Sequence, residues 1–99
     1  MEYMKIYRMY IVKDSIELDQ FNVTNIELEA RAVHCKWGSY YLYAFNSIQR
    51  CREVIFLDKK MIIPYFKRLK SCLLRKIDNE IIEAKNRYEN VKKLELKRT

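Results

Sequence analysis

The pattern of apolar and polar positions divides the chain into a strand-like N-terminal part and a helical C-terminal part. Residues 3–12, YMKIYRMYIV, carry apolar or aromatic side chains on both parities, which favours a strand covered on both faces. Residues 25–33, NIELEARAV, alternate cleanly and predict a strand with one face in water. Residues 54–57, VIFL, predict a short buried strand.

The stretch 34–51, HCKWGSYYLYAFNSIQRC, holds the only His, Trp and Gly of the chain. Trp37 and Gly38 form a turn signal between two segments rich in strand-forming residues, so we predict a β-hairpin that turns there. In its second arm, Tyr41 and Tyr43 share one parity. We expect that face to pack in the core or against a partner.

Three further segments have weaker patterns. Residues 14–22 fit either a short helix or a loop. Residues 46–53 predict a helical turn capped by Asn46. Residues 61–63 either pair back with the strand at 54–57 or lead into the next element.

From Pro64 onward the apolar period is that of a helix. Apolar side chains recur every three or four residues in one stripe: Phe66, Leu69, Leu73, Ile77, Ile81, Ala84, Tyr88 and Val91. A helix over residues 64–94 would be about 46 Å long, whereas a globule of this chain length is about 25–30 Å across. The helix therefore either breaks near Asp78 and Asn79 or packs its far end on another molecule.

A second copy of the chain is the first candidate for that molecule, so we expect a homodimer. Its expected interface combines the tyrosine face of the hairpin with the far end of the helical stripe: Tyr41, Tyr43, Ile81, Ala84, Tyr88 and Val91.

These elements predict an α+β fold. An antiparallel sheet of three or four strands from residues 3–57 packs against a long C-terminal helix over residues 64–94. The 99 residues suffice for a single domain, 1–99.

The compartment follows from hydropathy and cysteine usage. The longest uncharged run, residues 37–49, is shorter than the roughly 20 residues that a transmembrane segment needs. The N-terminus also lacks the charged-then-apolar layout of a signal peptide, so we expect an intracellular protein. Cys35, Cys51 and Cys72 are odd in number and irregularly spaced, which is unlike a secreted disulfide framework but leaves one intramolecular bridge open.

The net charge of +7 is concentrated in the C-terminal part, where residues 59–76 include seven basic and no acidic side chains. Basic donors on one helix face suit contacts to the phosphates of DNA or RNA. The predicted nucleic-acid-binding residues are Lys67, Arg68, Lys70, Arg75 and Lys76. A merely solvated helix face and contact with an anionic membrane surface are the alternatives.

Catalytic and metal chemistry find little support. A single glycine excludes a phosphate-cradling loop, which needs several. His34 and Cys35 are adjacent in a predicted strand and so point to opposite faces. The carboxylates are scattered, and no CxxC or HxxxH spacing occurs. We therefore expect a non-enzymatic protein without catalytic residues, metal or cofactor.

The chain is poor in Gly and Pro and rich in Ile, Tyr, Lys and Glu; it begins MEYMKIYRMYIV and carries KKMIIPYFKRLKSCLL before a charged helix. Over its whole length this character resembles small proteins of filamentous double-stranded DNA viruses that infect hyperthermophilic archaea, of the Acidianus filamentous virus type. The resemblance implies a hyperthermophilic host cytoplasm, unusual thermal stability and a fold without close relatives. It assigns a role to no residue.

Two functions from different classes follow. The first is a small nucleic-acid-binding or regulatory protein that uses the basic helix face. The second is a homodimeric protein-interaction module that binds a host or viral protein through its helix and tyrosine face.

Overall fold

The computed structural model describes residues 3–35 and 37–96. In these residues the elements are β1 (Tyr3–Val12), β2 (Ser15–Thr24), α1 (Asn25–Glu29), β3 (Ala32–Cys35), β4 (Gly38–Tyr41), β5 (Glu53–Phe56) and α2 (Ile62–Lys92). β1 pairs antiparallel with both β2 and β5 in a three-stranded sheet, while β3 and β4 form a separate hairpin. The predicted α+β architecture, an antiparallel sheet followed by a long helix, is confirmed.

The three-stranded sheet is the middle of three layers. On one face, Tyr7 and Met9 of β1 pack with Phe56 of β5 against the first half of α2. On the other face, Ile6 of β1 packs with Val33 of the β3–β4 hairpin. The apolar side chains on both parities of β1 are therefore buried, because each face of the strand has a different layer above it.

Of residues 14–22, Asp14 lies in the turn after β1, and the rest form neither a helix nor a loop, because they belong to β2. This strand pairs with β1 along its full length, from Tyr3 opposite Thr24 to Val12 opposite Ser15. The connecting turn is only two residues long and places Lys13 at φ 55°. It contains neither the Gly nor the Asn that usually marks such a turn, so the hairpin had no local signal.

The strand predicted over residues 25–33 is wrong, since its first five residues form α1 and only its end belongs to β3. A capping box starts the helix: Glu27 N donates to Thr24 Oγ1 at 3.3 Å, and Thr24 N donates to Glu27 Oε2 at 2.6 Å. These two bonds satisfy donors that a helix otherwise leaves unpaired. They outweigh the strand-like alternation, and Ile26 is left 69% exposed.

The hairpin predicted to turn near residues 37–38 is present as β3 and β4. By contrast, the helical turn predicted over residues 46–53 is wrong: Asn46 has a positive φ of 63°, and the segment makes turns before β5. Residues 61–63 do not pair with β5, because they close a 3-10 turn and begin α2.

The helix α2 is continuous, so the break considered near Asp78 and Asn79 does not occur. Its 31 residues make it about 46 Å long. The molecule measures 78 × 29 × 19 Å, and its radius of gyration of 20.5 Å far exceeds the roughly 13 Å of a globule this size. Beyond Ile77, every described side chain of α2 is exposed, so the second half of the helix projects from the body.

The first half of α2 packs on the sheet through Tyr65 and Leu69, and Leu73 one turn further is also buried. Phe66 belongs to the predicted apolar stripe, but this residue is 40% exposed and its neighbour Tyr65 is buried instead. The helix also begins earlier than Pro64, which lies in the first turn, where its missing N–H costs no hydrogen bond. Among the described helices, none combines the length and the apolar character that crossing a bilayer would require.

A disulfide joins Cys51, in the turn before β5, to Cys72 in α2, with 5.6 Å between the two Cα atoms. The third cysteine, Cys35, is a half-buried free thiol. The bridge ties a surface turn to the helix that covers the sheet, and it lies at the centre of the charged surface described next.

Candidate nucleic-acid interface

Basic side chains from three distant segments converge beside the disulfide. They come from the β1–β2 turn, the turn before β5 and the middle of α2. We call this set the basic surface: Lys13, Arg50, Arg52, Arg75 and Lys76. Four of them line one concavity together with the disulfide, and Arg75 lines a second concavity that continues along the helix. All five side chains are exposed.

The turn before β5 presents two of these arginines. Arg50 and Cys51 have φ values of 53° and 52°, and Arg52 N donates to Gln49 O at 2.9 Å. Each non-glycine residue in the left-handed region costs roughly 1 kcal/mol. The disulfide and a hydrogen bond from Ile11 N to Arg52 O at 2.9 Å hold the turn in this conformation. Arg50 and Arg52 are thus kept next to α2.

The charges of the basic surface are free to meet an external partner. Of the basic side chains in the described residues, only Arg8 forms an ion pair: its Nε and Nη2 donate to Glu53 Oε2 at 3.2 and 2.9 Å. That pair compensates the charge of the carboxylate that borders the surface at β5. On the helix side, Glu80 and Glu83 bound the surface.

All five residues predicted to bind nucleic acid are exposed on α2, but they do not share one face. Arg68 lies about two turns before Arg75 on the same line of the helix, given about 100° per residue. Lys67 is about 80° and Lys70 about 140° around the helix from Arg75. Lys76 faces the body and joins the concavity beside the disulfide. The structure therefore brings Arg75 and Lys76 together, with Arg68 as an extension.

Lys13, Arg50 and Arg52 are the members that sequence reasoning missed. They lie in two turns far apart in the chain, and both turns were read differently from the sequence. The one available signal was the RCR triplet at residues 50–52, in which two arginines flank a cysteine. Without knowledge of the disulfide partner, that triplet pointed to no particular surface.

The two tyrosines predicted at an interface stack on each other at the surface. The ring centroids of Tyr41 and Tyr43 are 5.5 Å apart, with 14° between the ring planes. The rings belong to residues that are 54% and 86% exposed. They do not share a strand face, because β4 ends at Tyr41 and a 3-10 turn over residues 42–44 follows. The remaining predicted interface residues, Ile81, Ala84, Tyr88 and Val91, are exposed on the projecting half of α2.

The one histidine makes a local contact: its Nδ1 lies 2.6 Å from Ser39 Oγ across the β3–β4 hairpin. The thiol of Cys35 points to the carbonyl oxygen of Gly38, at 3.5 Å. Within residues 3–35 and 37–96, no three His, Cys, Asp or Glu side chains come together as metal ligands could.

Tyr10 lies at the edge of the arginine-lined groove beside the basic surface. Its hydroxyl oxygen lies 2.8 Å from Asp19 Oδ2 and 2.9 Å from Glu17 Oε2, so its single proton is shared between two acceptors. These hydrogen bonds raise the pKa of Tyr10 well above its usual value, because ionisation would place a phenolate beside two carboxylates. Burial also raises the pKa of Tyr40, against the opposing charge of Arg8.

Alkaline pH is expected to destabilise the wild-type protein more than the Tyr10→Phe variant. The raised pKa means that Tyr10 stabilises the fold fully below the unfolded value of about 10, and that this contribution is lost as the pH rises further. Urea unfolding at several pH values from about 8 to about 12 measures the difference. Tyr43→Phe, a change at an exposed ring, is the control. If the free energy of unfolding depended on pH in the same way for the wild type and Tyr10→Phe, the hydrogen bonds of Tyr10 would not have the stabilising role assigned to them.

No protein-family model matches the chain. Neither a curated protein nor a solved structure shows significant similarity to it.

Proposed function

We propose that this protein binds nucleic acid through its basic surface, as a small non-enzymatic DNA- or RNA-binding protein. One observation carries the proposal: five basic side chains from three segments converge around the disulfide, and none forms an ion pair within the described residues. A partner with closely spaced negative charges, such as a phosphate backbone, complements such a surface.

The geometry favours phosphate contact over a merely solvated face. A solvated face needs only flexible side chains on the outside of a helix. Here the backbone of Arg50 and Arg52 is instead held beside α2 by a turn with unfavourable backbone angles and by a covalent bridge. Their exposed guanidinium groups can donate to phosphate oxygens in pairs, which gives each contact geometric specificity as well as charge.

The contacts expected from this surface are made to backbone phosphates, and they do not distinguish one base sequence from another. If all five basic residues contact phosphates of B-form DNA, the slope of log affinity against log salt is about −4.5. Arg68, on the same line of the helix as Arg75, can add a sixth contact. Binding is therefore expected to be tight at low salt and to weaken steeply as salt rises.

Removing three charges of the basic surface is expected to weaken binding to every duplex sequence. For Arg50→Gln/Arg52→Gln/Lys76→Gln, the salt slope should become shallower by about 2.7, because three phosphate contacts are lost. Fluorescence anisotropy with a labelled random duplex and a labelled single strand, from about 50 to 300 mM salt, measures the slopes. Thermal unfolding of each variant verifies that it folds.

A triple variant with the same change of net charge elsewhere is the matched control. Lys59→Gln/Lys60→Gln/Lys92→Gln removes two charges from the 3-10 turn before α2 and one from the last residue of α2, away from the disulfide. Its slope should stay near that of the wild type. Equal loss in both triple variants would show that only net charge matters, and absent binding of the wild type at low salt would contradict the proposal outright.

The exposed Tyr41–Tyr43 stack favours the second candidate function, a homodimeric module that contacts a host or viral protein. Exposed aromatic rings are enriched at protein interfaces and supply much of their binding energy. The same rings could also stack on unpaired bases. In the anisotropy assay, Tyr41→Ala/Tyr43→Ala should leave both duplex and single-strand binding unchanged if the stack serves a protein partner. Loss of single-strand binding alone would assign it to bases.

A further inference from the structure

From Leu74 to Val91, α2 carries a continuous line of apolar side chains that is largely exposed. Their spacings are three, four, three, four and three residues, which is the a and d pattern of a coiled-coil heptad. We call this line the seam: Leu74, Ile77, Ile81, Ala84, Tyr88 and Val91. Over these residues α2 is helical without interruption.

The seam lies to one side of the face that packs on the sheet. At about 100° per residue, its centre is roughly 90° around the helix from Leu69. Apart from the half-buried Ile77, its members are exposed, with Leu74, Tyr88 and Val91 at 53%, 64% and 65%. Shallow apolar grooves run beside its last three residues.

A helical segment of this kind needs a partner. An isolated helix of about 15 residues is marginally stable in water, and most of the stability of natural helices comes from packing an apolar face. The projecting half of α2 has no packing within the described chain beyond Ile77. An uncovered line of large apolar side chains on a helix is the usual mark of an interaction site.

We propose that the seam binds the same seam of a second copy, in an antiparallel two-stranded coiled coil. The seam is self-complementary when two copies run in opposite directions. With Ile81 against the partner's Ala84, the next layers outward pair Ile77 with the partner's Tyr88 and Leu74 with the partner's Val91. Each of these contacts occurs twice, as a two-fold interface requires. The small Ala84 leaves room for a branched side chain at the centre.

The charges that flank the seam select this orientation. In the antiparallel register, Glu80 faces the partner's Arg87, and Asp78 faces the partner's Lys85. By symmetry this makes four pairs of opposite charge and no repulsive pair among these positions. In a parallel register, Glu80 would meet the partner's Lys85, but Arg87 would meet the partner's Lys92. Flanking charges of this kind determine the orientation of coiled coils.

The same register continues past the last layer of the seam. Leu94, just beyond the end of α2, is 74% exposed, and in the antiparallel dimer it comes level with the partner's Leu73. The dimer does not depend on nucleic-acid binding, although it would place two basic surfaces on one particle.

Sedimentation velocity of the full-length protein tests the proposal. Concentrations from about 1 to 100 μM cover micromolar dissociation constants of a dimer. The wild type should sediment as a dimer, at twice the chain mass of 12.2 kDa. Ile81→Glu places a charge in each central layer and should raise the dimer dissociation constant on the order of 100-fold or more. Ile82→Glu is the matched control, because Ile82 is 55% exposed and points away from the seam. It should leave the dimer intact.

Arg87→Glu tests the orientation. In the antiparallel dimer it sets two glutamates against Glu80 and the partner's Glu80, so the dissociation constant should rise about tenfold. The Glu80→Arg/Arg87→Glu double variant should restore it. In a parallel dimer Arg87→Glu would instead tighten association. A monomeric wild type at 100 μM, equal effects of Ile81→Glu and Ile82→Glu, or tighter association of Arg87→Glu would each overturn the proposal. The substituted side chains are all exposed on α2, and thermal unfolding of each variant checks that the body stays folded.

Discussion

Phe56→Ala is expected to lower the free energy of unfolding by about 3–5 kcal/mol, as large-to-small changes in a packed core do. Phe56 is fully buried where β5 meets both β1 and α2. Its ring centroid lies 5.4 Å from that of Tyr7 and 4.9 Å from that of Tyr65. Truncation therefore removes buried apolar area and two aromatic contacts, and it leaves a cavity between the sheet and the helix.

Guanidinium unfolding of the wild type and of two variants measures this effect. Phe66→Ala is the matched control, because it deletes the same atoms from a ring that is 40% exposed. Phe66→Ala should lower the free energy of unfolding by less than about half as much, because folding buries less apolar surface at that position. Similar losses for the two variants would mean that the α2–sheet contact is not the main core of this fold.

The Cys51→Ser/Cys72→Ser variant is expected to lose about 3 kcal/mol of unfolding free energy. The bridge spans 21 residues, and a cross-link over a loop of that length removes chain entropy from the unfolded state by roughly this amount. Thermal unfolding of the wild type with and without reductant, compared with the variant, measures the loss. Cys35→Ser, at the free thiol, is the control and should change stability little.

The same variant also tests how the basic surface is held. Without the bridge, the turn with Arg50 and Arg52 keeps the hydrogen bond from Ile11 N but loses its covalent link to α2. Its positive φ angles then have less to stabilise them. Affinity for nucleic acid at a fixed salt concentration should fall even below the unfolding temperature. Full stability of the serine variant, or unchanged affinity, would show that the bridge contributes nothing to the fold or to the surface.

Several elements were determined by the sequence itself. The 3.6-residue period after Pro64 predicted α2. Its length beyond the size of a globule left two alternatives, a break near Asp78 and Asn79 or a far end that leaves the body, and the continuous helix of the structure decides between them. The Trp37–Gly38 turn signal predicted the β3–β4 hairpin, and the two apolar parities of residues 3–12 predicted a strand covered on both faces. Each of these signals lies within a few neighbouring residues, so each can be read without knowing the rest of the fold.

Residues 14–33 are the part of the chain where secondary-structure prediction from local sequence was wrong. The two-residue turn at Lys13 has no sequence mark, so β2 is defined only by its ten-residue pairing with β1. The capping box of Thr24 and Glu27 was present in the sequence but competed with an equally visible strand alternation. Whether these residues form a helix or a strand depended on which segment pairs with β1, and that pairing joins residues that are distant in the sequence.

The candidate site and the seam were decided by tertiary structure. Lys13 and Arg50 come together only because β1 pairs with β5, more than forty residues away in the chain, and because Cys51 bonds to Cys72. The apolar stripe of α2 looked continuous in sequence. The sheet covers only its side around Leu69, and the seam is left open beyond Leu73. Periodicity states which side chains share a face of an element, but which face is buried depends on what the rest of the chain packs against it.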